Sequence, residues 1–479
     1  MEEALCHPNW VNDTNNIPPA ANANKSLRDI DRTVLCWADT VHYQDNPIIV
    51  SHCQGEIVTD LQGRRYIDTQ MWHSSCNFGY QNPEITKAVH RQLDNLPQVS
   101  GDFLHAEKLL LAQEVEAAIF ARTGLHGRVS FNVGGTLVVE DALKIVRKQT
   151  GKSKVGAFMG AYHGRSLTVS GLSSSHRYRQ EFGDFPHRAE FFAFPNPADC
   201  YYELPAEVDQ ADYYARMINK RFENDFHGIA SEADQELGAF MLELCQGRGY
   251  AIPPRHFYQQ FVPQLQERGL LIVDDEIQIG MFRTGKLFAF EHFGITPDII
   301  TLSKSFTNGL PPLSLVWARE DLVNPDHYGP GHAHSNFANH SLGTAAALAT
   351  WRYMLAQNYE QSLPEKGAYY LNKLRELRDK YWFIGAVDGL GLLLNMVFQR
   401  ADGTPLAGLG KLAVTLAQEH DYFYQGAAYR LILNAGGFSS EGLKLAPYLD
   451  ITHAEIDRTV ALLDQVMQRL AHHLAGDHP

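Results

Sequence analysis

The chain has 479 residues, of which 44% are hydrophobic and 20% charged, and its formal net charge at pH 7 is −14. This composition is typical of a folded globular protein of two or three domains, and the negative charge argues against nucleic acid or an anionic membrane as partner. No apolar run approaches 18 residues, the N-terminus lacks a basic, apolar leader, and the six cysteines form no Cys-x-x-Cys pair. We therefore expect a cytoplasmic protein with free thiols and no membrane span.

The N-terminal part begins with a polar, proline-containing segment, which predicts a flexible arm over residues 1–25. Alternating and helical spacing of apolar residues then predicts a short meander followed by helices. The predicted elements are a helix over 27–41, strands over 48–52, 56–60 and 65–68 with Gly63 at a turn, and helices over 83–96 and 106–123. Trp72, between the last strand and these helices, is as consistent with the core as with a pocket wall.

A glycine-containing turn precedes a predicted helix over 137–150. Gly134, Gly135 and Thr136 form this turn after a short apolar strand. Glycines at such a position let backbone N–H groups face an anion, and the N-terminus of the helix adds a partial positive charge. The turn therefore indicates a phosphate site, although a Gly-Gly pair before a helix is often only a tight turn.

Two further apolar runs, over 155–158 and 239–242, predict buried strands. The first leads into a loop that contains Tyr162 and His163, and the second leads into Glu243. Between these strands, the segment 173–234 is polar, aromatic and without periodicity, which is typical of irregular loops that cover a pocket.

The stretch 270–312 contains the residues that indicate a catalytic site most clearly. Apolar runs over 270–273 and 299–302 predict parallel strands, and they are followed by Asp275 and Lys304. Ligands bind at the carboxyl ends of such strands, so an acid and a lysine should meet at one edge of the sheet. A lysine there suits a Schiff base with an aldehyde cofactor, whereas either residue alone could be a helix cap or a solvated charge.

This stretch closely resembles the class III aminotransferases, the pyridoxal 5′-phosphate (PLP) enzymes of fold type I. Their Asp-Glu-x-Gln-x-Gly-x-x-Arg-Thr-Gly motif matches residues 275–285, their Phe-Gly-x-x-Pro-Asp motif matches 293–298, and their lysine is Lys304. Their Gly-Ala-Tyr-His-Gly-Arg motif matches 160–165, and the similarity extends from Pro47 to near Leu470.

The resemblance implies an α/β fold of the PLP-dependent transferase fold type I. A large domain would hold a mostly parallel seven-stranded sheet between helices, and a small α+β domain would combine both ends of the chain. The expected boundaries are a flexible arm over 1–25, small-domain segments over 26–70 and 341–479, and the large PLP-binding domain over 71–340.

The resemblance also implies roles for single residues. Lys304 would bind PLP as a Schiff base and move the substrate's α proton, and Asp275 would pair with the pyridine nitrogen. Tyr162 would stack on the ring with His163 beside it, and Gln278 would bond the phenolic oxygen. The full set of expected cofactor-binding residues is Gly134, Gly135, Thr136, Tyr162, His163, Glu243, Asp275, Gln278, Lys304 and Asn336.

Asn336 stands where the family has a threonine that reaches the PLP phosphate of the other subunit. The resemblance therefore implies a homodimer with active sites at the subunit interface. Several histidines surround Asn336, but no carboxylate or cysteine clusters with them, so we expect no metal.

The expected substrate residues are Trp72, Arg248 and Lys444. Arg248 and Lys444 stand where the ornithine-type branch has a glutamate and an arginine that pair with each other, so two cations replace an ion pair. Like charges close together are costly unless an anion lies between them, so the two residues could jointly receive a substrate carboxylate. Alternatively, Arg248 points to solvent and Lys444 alone faces the ligand.

The expected reaction moves an amino group between an amine or amino acid donor and a keto acid or aldehyde acceptor. Decarboxylation, racemisation or amine migration with the same cofactor remain alternatives, because the sequence does not show which substrate bond lies perpendicular to the ring. A nucleotide-binding oxidoreductase is disfavoured because the Gly134-Gly135 turn lacks the third glycine and Lys304 would have no role. The hypothesis of a non-catalytic binding protein is also disfavoured, because it gives neither Lys304 nor Asp275 a role.

Overall fold

The computed structural model describes residues 20–475 except 45, 184, 186–188, 197–200, 203, 206, 228, 230–235 and 334. Most of the predicted N-terminal arm, residues 1–19, lies outside the described residues. The rest of the arm, 20–25, begins the helix Ala20–Val34, which starts and ends earlier than the predicted helix over 27–41. Among the described residues, no helix combines the length and apolar character that crossing a bilayer requires.

The predicted N-terminal meander is present. It consists of β1 (Val50–Gln54), β2 (Ile57–Asp60) and β3 (Arg65–Asp68), which pair antiparallel. Gly63 adopts a left-handed φ of 75° at the turn between β2 and β3, which a residue with a side chain rarely adopts. Helices follow at Pro83–Asn95 and Ala106–Thr123, close to their predicted bounds.

The large sheet has seven strands in the order β4-β10-β9-β8-β7-β5-β6. β10 runs antiparallel to both β4 and β9, and the remaining neighbours are parallel, so the predicted mostly parallel sheet is confirmed. Its strands are β4 (Gly127–Asn132), β5 (Lys154–Phe158), β6 (Glu190–Phe192), β7 (Leu237–Leu242), β8 (Leu271–Asp275), β9 (Ile299–Leu302) and β10 (Ser314–Arg319).

Both faces of this sheet are buried, which explains why its central strands are continuously apolar. Every residue of β7 and β8 is buried. Side chains alternate between the faces of a strand, so Ile272 joins one apolar cluster while Leu271 and Val273 join the other. The helix Gly135–Thr150 packs on the face that carries Leu271 and Val273, and its Val138 and Val139 belong to the same apolar cluster as those two residues.

The C-terminal part adds six strands and shares a sheet with the N-terminal part. The strands are β11 (Ile384–Leu390), β12 (Leu393–Phe398), β13 (Tyr422–Tyr424), β14 (Ala427–Ile432), β15 (Asn434–Gly436) and β16 (Gly442–Leu445). β14 pairs parallel with β3, so one five-stranded sheet, β1-β2-β3-β14-β13, contains both ends of the chain. The others form the sheet β11-β12-β16-β15. The remaining helices of six or more residues in this structure are Gln210–Lys220, Val262–Glu267, Ser341–Ala356, Tyr359–Lys380, Leu409–Glu419 and His453–His473.

The prediction that 173–234 is irregular throughout was wrong. Strand β6 and the helix Gln210–Lys220 lie within this segment. The helix buries Ala211, Tyr214, Ala215 and Ile218, whose spacing forms one face. Asp209 caps it by accepting a bond from the Asp212 N–H at 3.1 Å. A cap followed by apolar spacing of three and four was therefore the missed signal.

Arg283, in the motif after β8, ties the large sheet to the C-terminal part. It is fully buried, and its guanidinium donates to the Leu392 carbonyl at 3.1 Å, the Pro447 carbonyl at 2.6 Å and the Asn77 side chain. Burial lowers the pKa of Arg283 to about 10, and the guanidinium stays charged at neutral pH. This motif residue has a structural role.

Candidate active site

The predicted lysine and acid lie at one edge of the large sheet. β8 and β9 are parallel neighbours, with Asp275 opposite Thr301, and Lys304 follows two residues beyond β9. Lys304 itself has a left-handed φ of 47°. A side-chain residue keeps such a conformation only where its surroundings enforce it, and such residues cluster at functional sites. Asn308 helps to fix the turn, since its side chain donates to the Gly79 carbonyl at 2.9 Å and accepts from the Phe78 N–H at 3.0 Å.

A cavity of about 190 Å³ opens at this edge. All of the predicted cofactor-binding residues except Gly134 and Asn336 line it. The lining residues are Gly135, Thr136, Tyr162, His163, Gly164, Glu243, Asp275, Ile277, Gln278, Ile279, Ser303 and Lys304. Sequence reasoning did not single out Gly164, Ile277, Ile279 and Ser303, although each lies within or beside a quoted motif.

Asp275 is held by three neighbours. Its carboxylate accepts a hydrogen bond from His163 Nδ1 at 2.7 Å, and from the Thr301 hydroxyl and the Ile277 N–H at 3.2 Å each. Burial alone would lower the pKa of His163, but the hydrogen bond and charge of Asp275 outweigh it and raise this pKa. The pair therefore presents a fixed carboxylate, suited to holding a proton on a ring nitrogen.

Lys304 is half-buried at the wall of the cavity, and its Nζ donates to Gln278 Oε1 at 3.1 Å. The Gln278 amide in turn donates to the Tyr250 hydroxyl at 3.0 Å. Burial lowers the pKa of Lys304 to about 8, against the opposing charges of Asp275 and Glu243. A substantial fraction of the amine is consequently neutral near physiological pH, which is the nucleophilic form.

Glu243 contacts the backbone of two loops. Its carboxylate accepts from the Tyr162 N–H at 2.7 Å and from the Gly247 N–H at 3.2 Å. Burial raises the pKa of Glu243, and the charge of His163 opposes that rise. Glu243 thus positions the loop that carries Tyr162 and His163, and it joins that loop to the one that carries Arg248.

The turn over Gly134, Gly135 and Thr136 fits an anion. Gly134 is the N-cap of the helix Gly135–Thr150 and makes no side-chain capping bond, so N–H groups of the first turn remain available to a ligand. A Cβ atom on Gly164 would lie 2.3 Å from Thr136 Oγ1, so the absence of a side chain lets this loop pack against the turn. Together with Lys304 and Asp275, this turn fits a phosphate-bearing aldehyde with a ring nitrogen.

The predicted substrate residues lie beside this cavity. Lys444 Nζ donates to the Gly247 carbonyl at 2.9 Å, and burial followed by the charge of Lys304 lowers the pKa of Lys444 to about 8. The guanidinium of Arg248 donates to the Phe438 carbonyl at 2.7 Å and lies 5.0 Å from the Phe438 ring centre. Arg177, which the sequence did not indicate, is a third cation, and its charge lowers the pKa values of Arg248 and Lys444.

Trp72 and Asn336 are both exposed in the single chain. Trp72 is 58% exposed, and its ring lies against Gly309 in the loop after Lys304, where a Cβ atom would approach it to 3.3 Å. Asn336 lies in a surface turn and is not among the residues lining its own chain's cavity.

Comparison with known proteins agrees with this geometry. The family model "Aminotransferase class-III" matches residues 40–467. A probable 4-aminobutyrate aminotransferase from Bacillus subtilis is 34% identical over 343 residues, 71% of this chain and 76% of that protein. An acetylornithine aminotransferase from Listeria monocytogenes is 29% identical over 89% of this chain and 96% of its own.

More distant similarities were also found. An alanine/serine racemase from Pyrococcus horikoshii is 25% identical over 94% of this chain and 91% of that protein. The solved structure of an (S)-enantioselective omega-transaminase from Thermomicrobium roseum superposes with a TM-score of 0.81 at 22% identity, covering 94% of this chain and 98% of its own. This likeness shows the fold.

Proposed function

The chain belongs to the class III aminotransferase family, and on that premise we propose how its own residues carry out the transfer of an amino group. The enzyme is a PLP-dependent aminotransferase. The assignment of single residues is carried by one observation: Lys304 and the Asp275–His163 pair line the same cavity of about 190 Å³ as the turn at Thr136.

Bound PLP supplies an aldehyde that reacts with amines and a ring that accepts electrons from the substrate. Lys304 would hold the aldehyde group through its Nζ, and the same amine would carry the proton at the substrate's α carbon. Asp275 would hold the proton on the ring nitrogen, while His163 keeps the Asp275 carboxylate in position. Tyr162 and Gln278 line the same cavity and would hold the ring, and the turn of Gly134, Gly135 and Thr136 would hold the phosphate.

A titration of the visible absorption band of the purified holoenzyme tests the reaction. 4-Aminobutyrate, N-acetylornithine and a panel of amines serve as donors. We expect one donor class to bleach the yellow band of the lysine-bound cofactor and 2-oxoglutarate or another keto acid to restore it. A band that persists while the substrate racemises, loses carbon dioxide or moves its amine contradicts transamination and favours the racemase, decarboxylase or aminomutase alternative.

We assign Arg248 and Lys444 to a substrate carboxylate, with Trp72 as a wall of the same pocket. The support is electrostatic: Lys444 lies close enough to Lys304, Arg248 and Arg177 for each charge to lower its pKa, and an anion between them relieves that repulsion. The reacting partners are accordingly an amino donor and a keto acceptor of which at least one carries an acid group.

Replacement of Arg248 by alanine tests this assignment. We expect KM for the acidic substrate to rise by about tenfold with little change in kcat, because a charge-assisted hydrogen bond of ~1.5 kcal/mol is removed from substrate binding. Arg216→Ala is a matched control: Arg216 also lies over an aromatic ring, that of Tyr213 at 5.2 Å, but it is not among the charges that lower the pKa of Lys444, whereas Arg248 is. Steady-state kinetics measure both variants, and an unchanged KM in Arg248→Ala rejects the shared carboxylate site.

The assembly is proposed as a homodimer, because Asn336 is suited to the partner's PLP phosphate and apolar side chains beside it are exposed. Phe337 is 66% exposed and Leu104 is 74% exposed.

We also propose the domain boundaries at residues 70 and 340, and the sheet in which β3 pairs with β14 supports a small domain made from both ends of the chain. The boundary expected at residue 25 is not kept, because it falls inside the helix Ala20–Val34.

A cytoplasmic location is proposed from the free thiols of Cys36, Cys53, Cys76 and Cys245.

A further inference from the structure

A left-handed turn without glycine stands beside the active site. Met71, Trp72, His73 and Ser74 have φ values of 44°, 51°, 54° and 64°. Consecutive L residues adopt this conformation only when surrounding contacts compensate for it, and such strain is typical of binding sites. Sequence reasoning placed no turn of this kind here, and it assigned a role only to Trp72.

The surroundings that hold this turn are built into the fold. Asp68, at the end of β3, accepts from the Gln70 and Met71 N–H groups at 2.9 Å each, and from the Tyr80 hydroxyl at 2.7 Å. The Trp72 ring packs on Gly309, whose missing side chain makes room for it. The turn is therefore fixed between β3 and the loop that follows Lys304, with Met71 and Ser74 buried and Trp72 and His73 exposed.

His73 is connected to Lys444 through Asn434. The Asn434 side-chain amide donates to His73 Nδ1, the two nitrogens being 3.0 Å apart. Asn434 and Lys444 are paired residues on the antiparallel strands β15 and β16, so their side chains lie on the same face of the sheet. Because Nδ1 accepts a bond, the proton of the neutral imidazole is on Nε2, which makes Nε2 a donor.

The charge state of His73 follows from its neighbours. His73 is an exposed residue, but partial desolvation of its imidazole by the protein around it lowers its pKa to about 4, and the charges of Lys444 and Lys304 act in the same direction. At neutral pH the imidazole is uncharged. It can thus donate a hydrogen bond without adding another positive charge next to Lys304, whose neutral form is needed.

We propose that His73 is a specificity-determining residue whose Nε2–H binds the acid group of the substrate beside Lys444, while Asn434 fixes the tautomer that donates. This inference rests on the proposed function, since it extends the carboxylate site assigned to Arg248 and Lys444. The ligand class is amino acids and keto acids with a carboxylate at this end of the cleft. One carboxylate oxygen binds the Lys444 ammonium and the other binds the imidazole.

Equilibrium binding of unreactive acids to the holoenzyme tests the inference. Calorimetry gives Kd for succinate, glutarate and adipate and for the corresponding diamides, which have similar shape but no charge. The variants are His73→Phe, which keeps a ring but has no donor, and His73→Gln, which keeps a donor. The absorption band of bound PLP, recorded for each protein, shows that the cofactor site is intact.

We expect the Kd of the wild-type enzyme for its best diacid to be at least about tenfold lower than its Kd for the corresponding diamide. In His73→Phe the ratio of these two Kd values should fall by about tenfold, equivalent to ~1.4 kcal/mol. His73→Gln should retain the preference to within about threefold. A His73→Phe variant that keeps the wild-type preference, or that weakens diacid and diamide equally, overturns the role of His73. A wild-type enzyme without any preference for the diacids overturns the carboxylate site of the proposed function instead.

Discussion

Replacing Lys304 with alanine is expected to lower kcat for transamination by at least about 10⁴-fold, because one substitution removes both the nucleophile and the group that moves the proton. The geometry makes this residue hard to substitute. Its Nζ lies in the cavity and bonds Gln278, whereas the neighbouring Lys444 amine is held by the Gly247 carbonyl. Steady-state kinetics with the donor found by the absorption titration measure the loss.

The variant Lys304→Arg tests whether a positive charge at this position is enough for activity. It keeps a cation in the cavity but supplies no amine that can attach the cofactor, so its activity should fall as far as that of the alanine variant. Lys286→Ala is the surface control, since Lys286 pairs with Glu360 at 3.7 Å and does not line the cavity. A Lys304→Ala enzyme that retains activity within about tenfold of wild type contradicts the assignment.

The lowered pKa of Lys304 also predicts a pH dependence for the protein stripped of PLP. Burial disfavours the charged amine, so the neutral, reactive form increases as pH rises through about 8. The rate at which added PLP attaches covalently should rise from pH 7 to pH 9 and level off above that. Stopped-flow absorbance follows this rate. A rate that continues to rise towards pH 10.5, the ordinary pKa of lysine, shows that the site does not lower it.

Replacing Asp275 with asparagine is the second large effect, with an expected loss of about 10²–10³-fold in kcat. The amide is nearly the same size and keeps an oxygen that can accept from Thr301 and Ile277, but it lacks the negative charge that keeps a proton on the ring nitrogen. Without that proton the ring accepts electrons poorly, so removal of the α proton slows. Rapid mixing with the amino donor measures this half-reaction directly.

His163→Gln provides the comparison for Asp275→Asn. His163 touches the carboxylate and acts through it, so we expect a smaller loss, about tenfold, as for one positioning hydrogen bond. The absorption band of each variant reports whether PLP is retained. Equal losses in the two variants would mean that the charge of Asp275 is not the decisive property, and a retained kcat in Asp275→Asn would remove it from the mechanism.

The local pattern of the sequence was sufficient to predict the edge of the sheet at which Asp275 and Lys304 lie. Apolar runs ending in Asp275 and Lys304 predict parallel strands because such strands are buried on both faces, and the structure has β8 and β9 there. The turn at Gly134 and Gly135 was also predicted from the sequence, and the structure has it at the N-terminus of the helix Gly135–Thr150. Strand β10 was missed, because its antiparallel pairing with β4 and β9 depends on partners distant in sequence.

What the sequence by itself determined is therefore the family, the fold class and the chemical identity of the residues proposed to act on the cofactor. Local motifs specify these because each one couples a strand end to a short turn. The resemblance had already named Arg248 and Lys444 as expected substrate residues, whereas only the tertiary structure shows that Asn434 lies opposite Lys444 and bonds His73. Arg248, Lys444, Asn434 and His73 come from four separate segments, and their proximity depends on packing of the C-terminal strands against the left-handed turn. No periodicity records such contacts, because they arise between elements and not within them.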